Sequence, residues 1–128
     1  MAKEIGKLFT IQEANEKFGP VISATKLSVS EVSTLLSETT NYIMFKKVDE
    51  DVIVLNNDRI AIHPVGYQVQ EQTVFTMYST SIVNEMLSEE AVTEVSVEQR
   101  AEVMSITCGK LTLEAGSNCP PYCPMDSE

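Results

Sequence analysis

The stretch from Tyr42 to Gly66, YIMFKKVDEDVIVLNNDRIAIHPVG, constrains the fold more than any other part of the chain. Its apolar runs, Tyr42–Val48, Val52–Leu55 and Ile60–His63, are separated by the polar breaks Asp49-Glu50-Asp51 and Asn56-Asn57-Asp58. β-Branched and aromatic residues suit a pleated, half-buried surface, and Asn and Asp tolerate the backbone of tight turns. The pattern predicts an antiparallel meander over about 42–63. His63-Pro64-Val65-Gly66 closes it, because proline cannot donate to a central ladder and glycine permits the turn.

Short helices flank this meander. Thr10-x-x-Glu13 and Ser28-x-x-Glu31 both have capping-box spacing, in which hydroxyl and carboxylate each accept from the other residue's backbone N–H. Ile11, Ala14 and Phe18 then form one apolar stripe, closed by Gly19-Pro20, which cannot continue a helix. Val29, Val32, Leu35 and Leu36 form the buried face of a second helix. Ser79 or Ser81 opens a third, running to about Glu90, with Ile82, Val83, Met86 and Leu87 on one side. Val21–Leu27 reads as extended or irregular, and strands are expected near 73–78 and 106–114. Between the last two, the pattern predicts a strand into Val95 and then a helix from Val97 to about Met104, started by Ser96-x-x-Gln99. The fold class is α+β: a small single domain with a mainly antiparallel sheet packed by short helices.

At 128 residues the chain is long enough to bury a core. The composition shifts after Ala115, where Gly116-Ser117-Asn118 precedes CPPYCPMDSE. That segment is too rich in proline for regular structure. The expected division is a folded domain over 1–115 and a Cys/Pro-rich tail over 116–128.

Charge excludes some partners. The net charge is −10, and residues 65–128 hold 10 acidic residues against two basic ones, Arg100 and Lys110. Nucleic acid requires clustered Lys and Arg to neutralise phosphates, and anionic membranes attract the same residues. No apolar run approaches the roughly 18–20 residues that span a bilayer, and Met1–Thr10 lacks the apolar centre of a secretory signal. The expected compartment is the cytoplasm, and the expected partner is a protein. An exposed strand edge can support a homo-oligomer.

The tail carries the chain's one local cluster of reactive residues. Cys119 and Cys123 form a C-x₃-C pair around Pro120, Pro121 and Tyr122. In polyproline II the two α-carbons would lie about 12 Å apart, at about 3.1 Å per residue. A disulfide requires less than about 7 Å, so pairing demands a turn. Four readings stand side by side: a reduced tail without thiol function, a redox-labile disulfide, a metal site and a substrate for modification. Thiolates suit zinc, copper(I) or an iron–sulfur cluster, with Cys108 or Met125 as an added ligand. Tyr122 and Met125 are the tail's candidate contact residues. Elsewhere Cys108 reads as a small buried hydrophobe. A dyad of Cys108 with His63, the sole histidine, is the enzymatic alternative. There is no G-x-S-x-G, phosphate-cradling glycine loop or H-E-x-x-H, and Asp49-Glu50-Asp51 lacks the progression of a calcium loop. The sequence therefore points to a non-catalytic protein-binding or adaptor module without a cofactor. The alternative is a thiol or metal carrier, or a precursor modified on its tail, acting through Cys119 and Cys123.

Overall fold

A computed structural model describes residues 4–70, 72–88, 92–101, 103–114 and 116–119. In chain order the elements are β1 (Lys7–Thr10), α1 (Ile11–Phe18), β2 (Ser23–Ser28), α2 (Val29–Leu36), β3 (Tyr42–Val48), β4 (Asp51–Leu55) and β5 (Ala61–His63). They continue with β6 (Phe75–Ser79), α3 (Thr80–Leu87), β7 (Glu94–Gln99), β8 (Met104–Cys108), β9 (Leu111–Glu114) and β10 (Ser117–Cys119).

The helix starts follow local chemistry. Thr10 Oγ1 accepts from the Glu13 N–H at 3.2 Å, and Glu13 Oε1 accepts from the Thr10 N–H at 3.0 Å. Ser28 and Glu31 repeat the arrangement at 3.0 and 3.1 Å. These backbone donors hold both carboxyls below the usual range. Gly19, at φ 87°, ends α1 with its N–H on the Asn15 carbonyl.

The meander forms as the pattern predicts, with β3 antiparallel to β4 and β4 to β5. The α+β class holds, but the strands divide between two antiparallel sheets rather than one. The first has the order β1-β9-β8-β7-β2, and the second β10-β6-β3-β4-β5. The strands near 106–114 therefore leave the meander and join the other sheet. The chain crosses between the sheets three times: after α2, through α3, and between β9 and β10.

One expectation is corrected. Residues 97–104 do not form a helix; Glu94–Gln99 and Met104–Cys108 are paired strands, with Val97 opposite Ile106. Ser96 and Gln99 have capping-box spacing, but β7 is flanked by β2 and β8 and gains a ladder on both sides. Its alternation buries Val95 and Val97 and turns Ser96 and Glu98 to the opposite face. A period of two satisfies both faces of that strand, whereas a helix would satisfy neither.

Burial explains the difference between the two sheets. Ile43, Phe45, Val52, Val54 and Tyr78 of the second sheet meet Val95, Val97, Ile106, Cys108 and Leu113 of the first, with α2 and α3 closing this core. The alternate residues of the second sheet, including Tyr42, Met44, Ile53, Leu55, Phe75 and Met77, form another core with Ile5, Ala61 and Cys119. A sheet buried on both faces needs near-continuous apolar strands, which is why β3 and β4 dominate the sequence.

Strand pairing also occurs past the composition break at 115. Asn118 pairs with Thr76 and Cys119 with Phe75 on the edge of the second sheet. Gly116 allows this approach: a Cβ there would lie 2.6 Å from Thr76 Cγ2 and 2.8 Å from Tyr78 Cε1. Residues 120–128 lie outside the described residues.

Candidate functional site

Between the edge strand β2 and the β4–β5 side of the second sheet lies a groove of about 480 Å³. Leu27, Val48, Val52, Ile53, Pro64 and Tyr67 supply its apolar surface. Glu50 and Asp51 stand on its rim, and Thr25 Oγ1 donates to the Glu50 carbonyl at 2.9 Å. Exposed apolar side chains continue outward, with Val65 86% and Ile60 61% accessible. β2 and β5 are the terminal strands of their sheets, so two sheet edges flank this region.

At another junction of the sheets the side chains are polar and buried. Glu98, Arg100, Ser105, Thr107, Thr112 and Glu114 are the alternates of the core residues on β7, β8 and β9 and the turn after β7. They form a layer on the face of the first sheet away from the core, next to α1. Arg100 is 1% exposed. Its Nε donates to Ser105 Oγ at 3.0 Å, and Nη1 donates to Asn15 Oδ1 at 2.8 Å and to the Gly19 carbonyl. Nη2 lies 3.7 Å from Glu98 Oε1. The Glu98 carboxylate accepts from Thr107 Oγ1 at 2.7 Å.

Glu114 is less well satisfied. Arg100 Nε lies 3.1 Å from its Oε2, an ion pair in which the N–H is directed at Ser105 instead. Among the described residues neither Glu114 oxygen has a hydrogen-bond partner, although the residue is 1% exposed. Burial pushes its carboxyl up to about 7; Arg100 and the nearby Ser105 hydroxyl pull it down, and Glu98 pushes it further up. Burial also raises the neighbouring Tyr78 phenol, whose hydroxyl donates to the Met104 carbonyl at 3.1 Å. Glu114 forms part of the wall of a cavity of about 290 Å³. Phe45, Thr76 and Asn118 are in register across β3, β6 and β10, and all three line it from the second sheet.

The cysteines are dispersed. Cys108 lies in the core between the sheets, and Cys119 lies in the other core. Cys119 is disulfide-bonded. Among the described residues no group of three or more His, Cys, Asp or Glu side chains is placed to hold a metal ion. Cys123, Tyr122 and Met125 lie outside the described residues. Arg59, at φ 63°, donates to the Cys119 carbonyl at 2.6 Å and to the Gln70 and Thr73 carbonyls at 3.1 and 3.0 Å. Its Nη1 also lies 3.5 Å from Cys119 Sγ. His63 is half-buried at the end of β5 and lines the groove, whereas Cys108 does not.

Comparison assigns no family. No protein-family model, curated protein or solved structure matches the chain. No described helix is long and apolar enough to cross a membrane.

The sequence reading passed over both Arg100 and Glu114. The available signal was positional: Arg100 is one of two basic residues in an acidic half and directly follows an alternating strand. Glu114 closes LTLE in phase with Thr112, on the face that alternation leaves polar.

Proposed function

We propose that this protein is a non-enzymatic protein-binding module of the cytoplasm, and that the groove beside β2 receives an extended segment of its partner. The observation that carries this reading is an apolar trough flanked by two sheet edges. A segment lying there can place alternate side chains in the trough while its backbone pairs with an edge. Glu50 and Asp51 on the rim call for Lys or Arg in that segment. The acidic charge of the whole chain favours encounter with a basic partner in the same way.

Selection from a library of extended peptides tests the proposal. The enriched sequences should combine an apolar anchor with a basic residue, and Val48→Asp/Tyr67→Ala should weaken them by about tenfold or more. Peptides that bind the double variant as tightly as the native protein would overturn it.

A second reading rests on Arg59 and Cys119. A cation beside a cysteine sulfur stabilises the thiolate, which makes that sulfur a better leaving group in exchange with an external thiol. In this reading Cys119 serves as half of a reducible disulfide, broken when a dithiol supplies two electrons and two protons. Alkylation and intact mass across a glutathione redox series decide the matter. A reducible bond opens within the cytosolic range, and Arg59→Leu shifts the balance toward the disulfide. A bond still closed at about −300 mV is structural and removes this reading. Disulfides are rare in the reducing cytosol, so that outcome would also move the protein to an oxidising compartment.

A further inference from the structure

We propose that the cavity at Glu114, lined by residues of both sheets, binds a small zwitterion, an aliphatic amino acid whose ammonium group meets Glu114 and whose carboxylate meets Lys47. The site is separate from the groove beside β2, and the two proposals stand or fall independently.

The first ground is the carboxylate itself. Glu114 is buried, and neither of its oxygens receives a hydrogen bond from the described residues. A buried acceptor without a donor costs free energy, the more so when charged. Arg100 offsets that cost only through the ion pair at 3.1 Å, because its Nε–H and Nη1 donors are directed at Ser105, Asn15 and the Gly19 carbonyl. A primary ammonium entering from the cavity brings three donors on a compact cation.

The second ground is the sign of the charges around the cavity. Glu114 contributes to the wall from the first sheet, and Lys46 and Lys47 contribute from β3 of the second. Lys47 is in phase with Phe45, whose side chain is in the core between the sheets. Its ammonium donates to the Asp49 carbonyl and keeps donors to spare. Arg100 pairs with Glu114 and with Glu98, and the Tyr78 phenol feels the Glu114 charge. A ligand that is only a cation would be repelled by the lysines, and one that is only an anion by Glu114. One molecule carrying both charges satisfies both walls.

Size and the intervening surface narrow the class. Thr76 and Asn118 contribute polar groups to the wall, and Phe18 and Phe45 contribute apolar surface. The cavity, about 290 Å³, is just below the roughly 300–1,000 Å³ that encloses drug-sized ligands. That suits a short methylene chain.

Titration calorimetry at pH 8, where Glu114 is mostly ionised, tests the assignment. The probes are γ-aminobutyrate, n-butylamine and butyrate, which share one chain length and differ in charge. Glycine and δ-aminovalerate are the shorter and longer zwitterions. At least one zwitterion should bind about tenfold or more tightly than both singly charged probes. Glu114→Gln should lower its affinity by about tenfold or more, and Lys47→Gln should lower it independently. Equal binding of charged and zwitterionic probes overturns the proposal. So does an unchanged affinity in Glu114→Gln, or the absence of binding by all three zwitterions at roughly 10 mM. Thermal unfolding of each variant separates lost binding from lost structure.

Discussion

Arg100→Met is expected to destabilise the protein by about 3–5 kcal/mol, because removing one member of a buried charge group leaves the others uncompensated. The guanidinium spans three parts of the fold: Ser105 on β8, Asn15 and Gly19 at the end of α1, and the carboxylates of Glu98 and Glu114. Methionine replaces the length of the stem but none of these contacts. Urea denaturation at neutral pH measures the loss. Adding Glu114→Gln to Arg100→Met should recover more than Glu114→Gln gains on its own, since without Arg100 the carboxylate has no counter-charge beside it. Strictly additive effects would show that Arg100 and Glu114 do not interact.

Glu114→Gln alone should have a pH-dependent effect with a definite sign. The folded carboxyl titrates at about 7 against an ordinary value of 4.5. Below the ordinary value the group is protonated whether folded or unfolded, and its stabilising contribution is fully present. As pH rises from 4.5 through 7, the folded state must ionise a buried group and that contribution is lost. The difference corresponds to about 3 kcal/mol, at 1.36 kcal/mol per pH unit. The variant should therefore gain up to about 3 kcal/mol over the native protein at pH 8 and little at pH 4. The carboxyls of Glu13 and Glu31 shift the other way, so their stabilisation is lost as pH falls below about 4.5. They are present in both proteins and cancel in the comparison. A difference between native and variant that does not change from pH 4 to pH 8 would mean that Glu114 titrates normally.

The same residues show where local reading succeeds. Capping boxes at Thr10 and Ser28 were legible because every participating atom lies within three residues. The meander was legible because β3, β4 and β5 are joined by short turns and pair with their sequence neighbours. Residues 97–104 misled because the spacing of Ser96 and Gln99 is a local signal, while the ladders to β2 and β8 are supplied by distant and neighbouring strands. The strand at Ser117–Cys119 is likewise not a local signal. Ser117–Cys119 has no strong strand preference of its own, and its pairing is determined by the edge of β6 and the absence of a side chain at Gly116.

The candidate sites were harder still. Tyr67 and Leu27 share a groove, and Glu114 and Phe45 share a cavity, across sequence separations that no spacing rule reaches. Local chemistry alone specifies α1 and α2 with their caps, the meander over 42–63 and the class of fold. These follow from hydrogen bonds and alternation within a few residues. Long-range packing sets the division of the strands into two sheets and the burial of Arg100 beside Glu98 and Glu114. Each depends on which surfaces meet when the chain crosses between the sheets, and on the electrostatic cost of removing those groups from water.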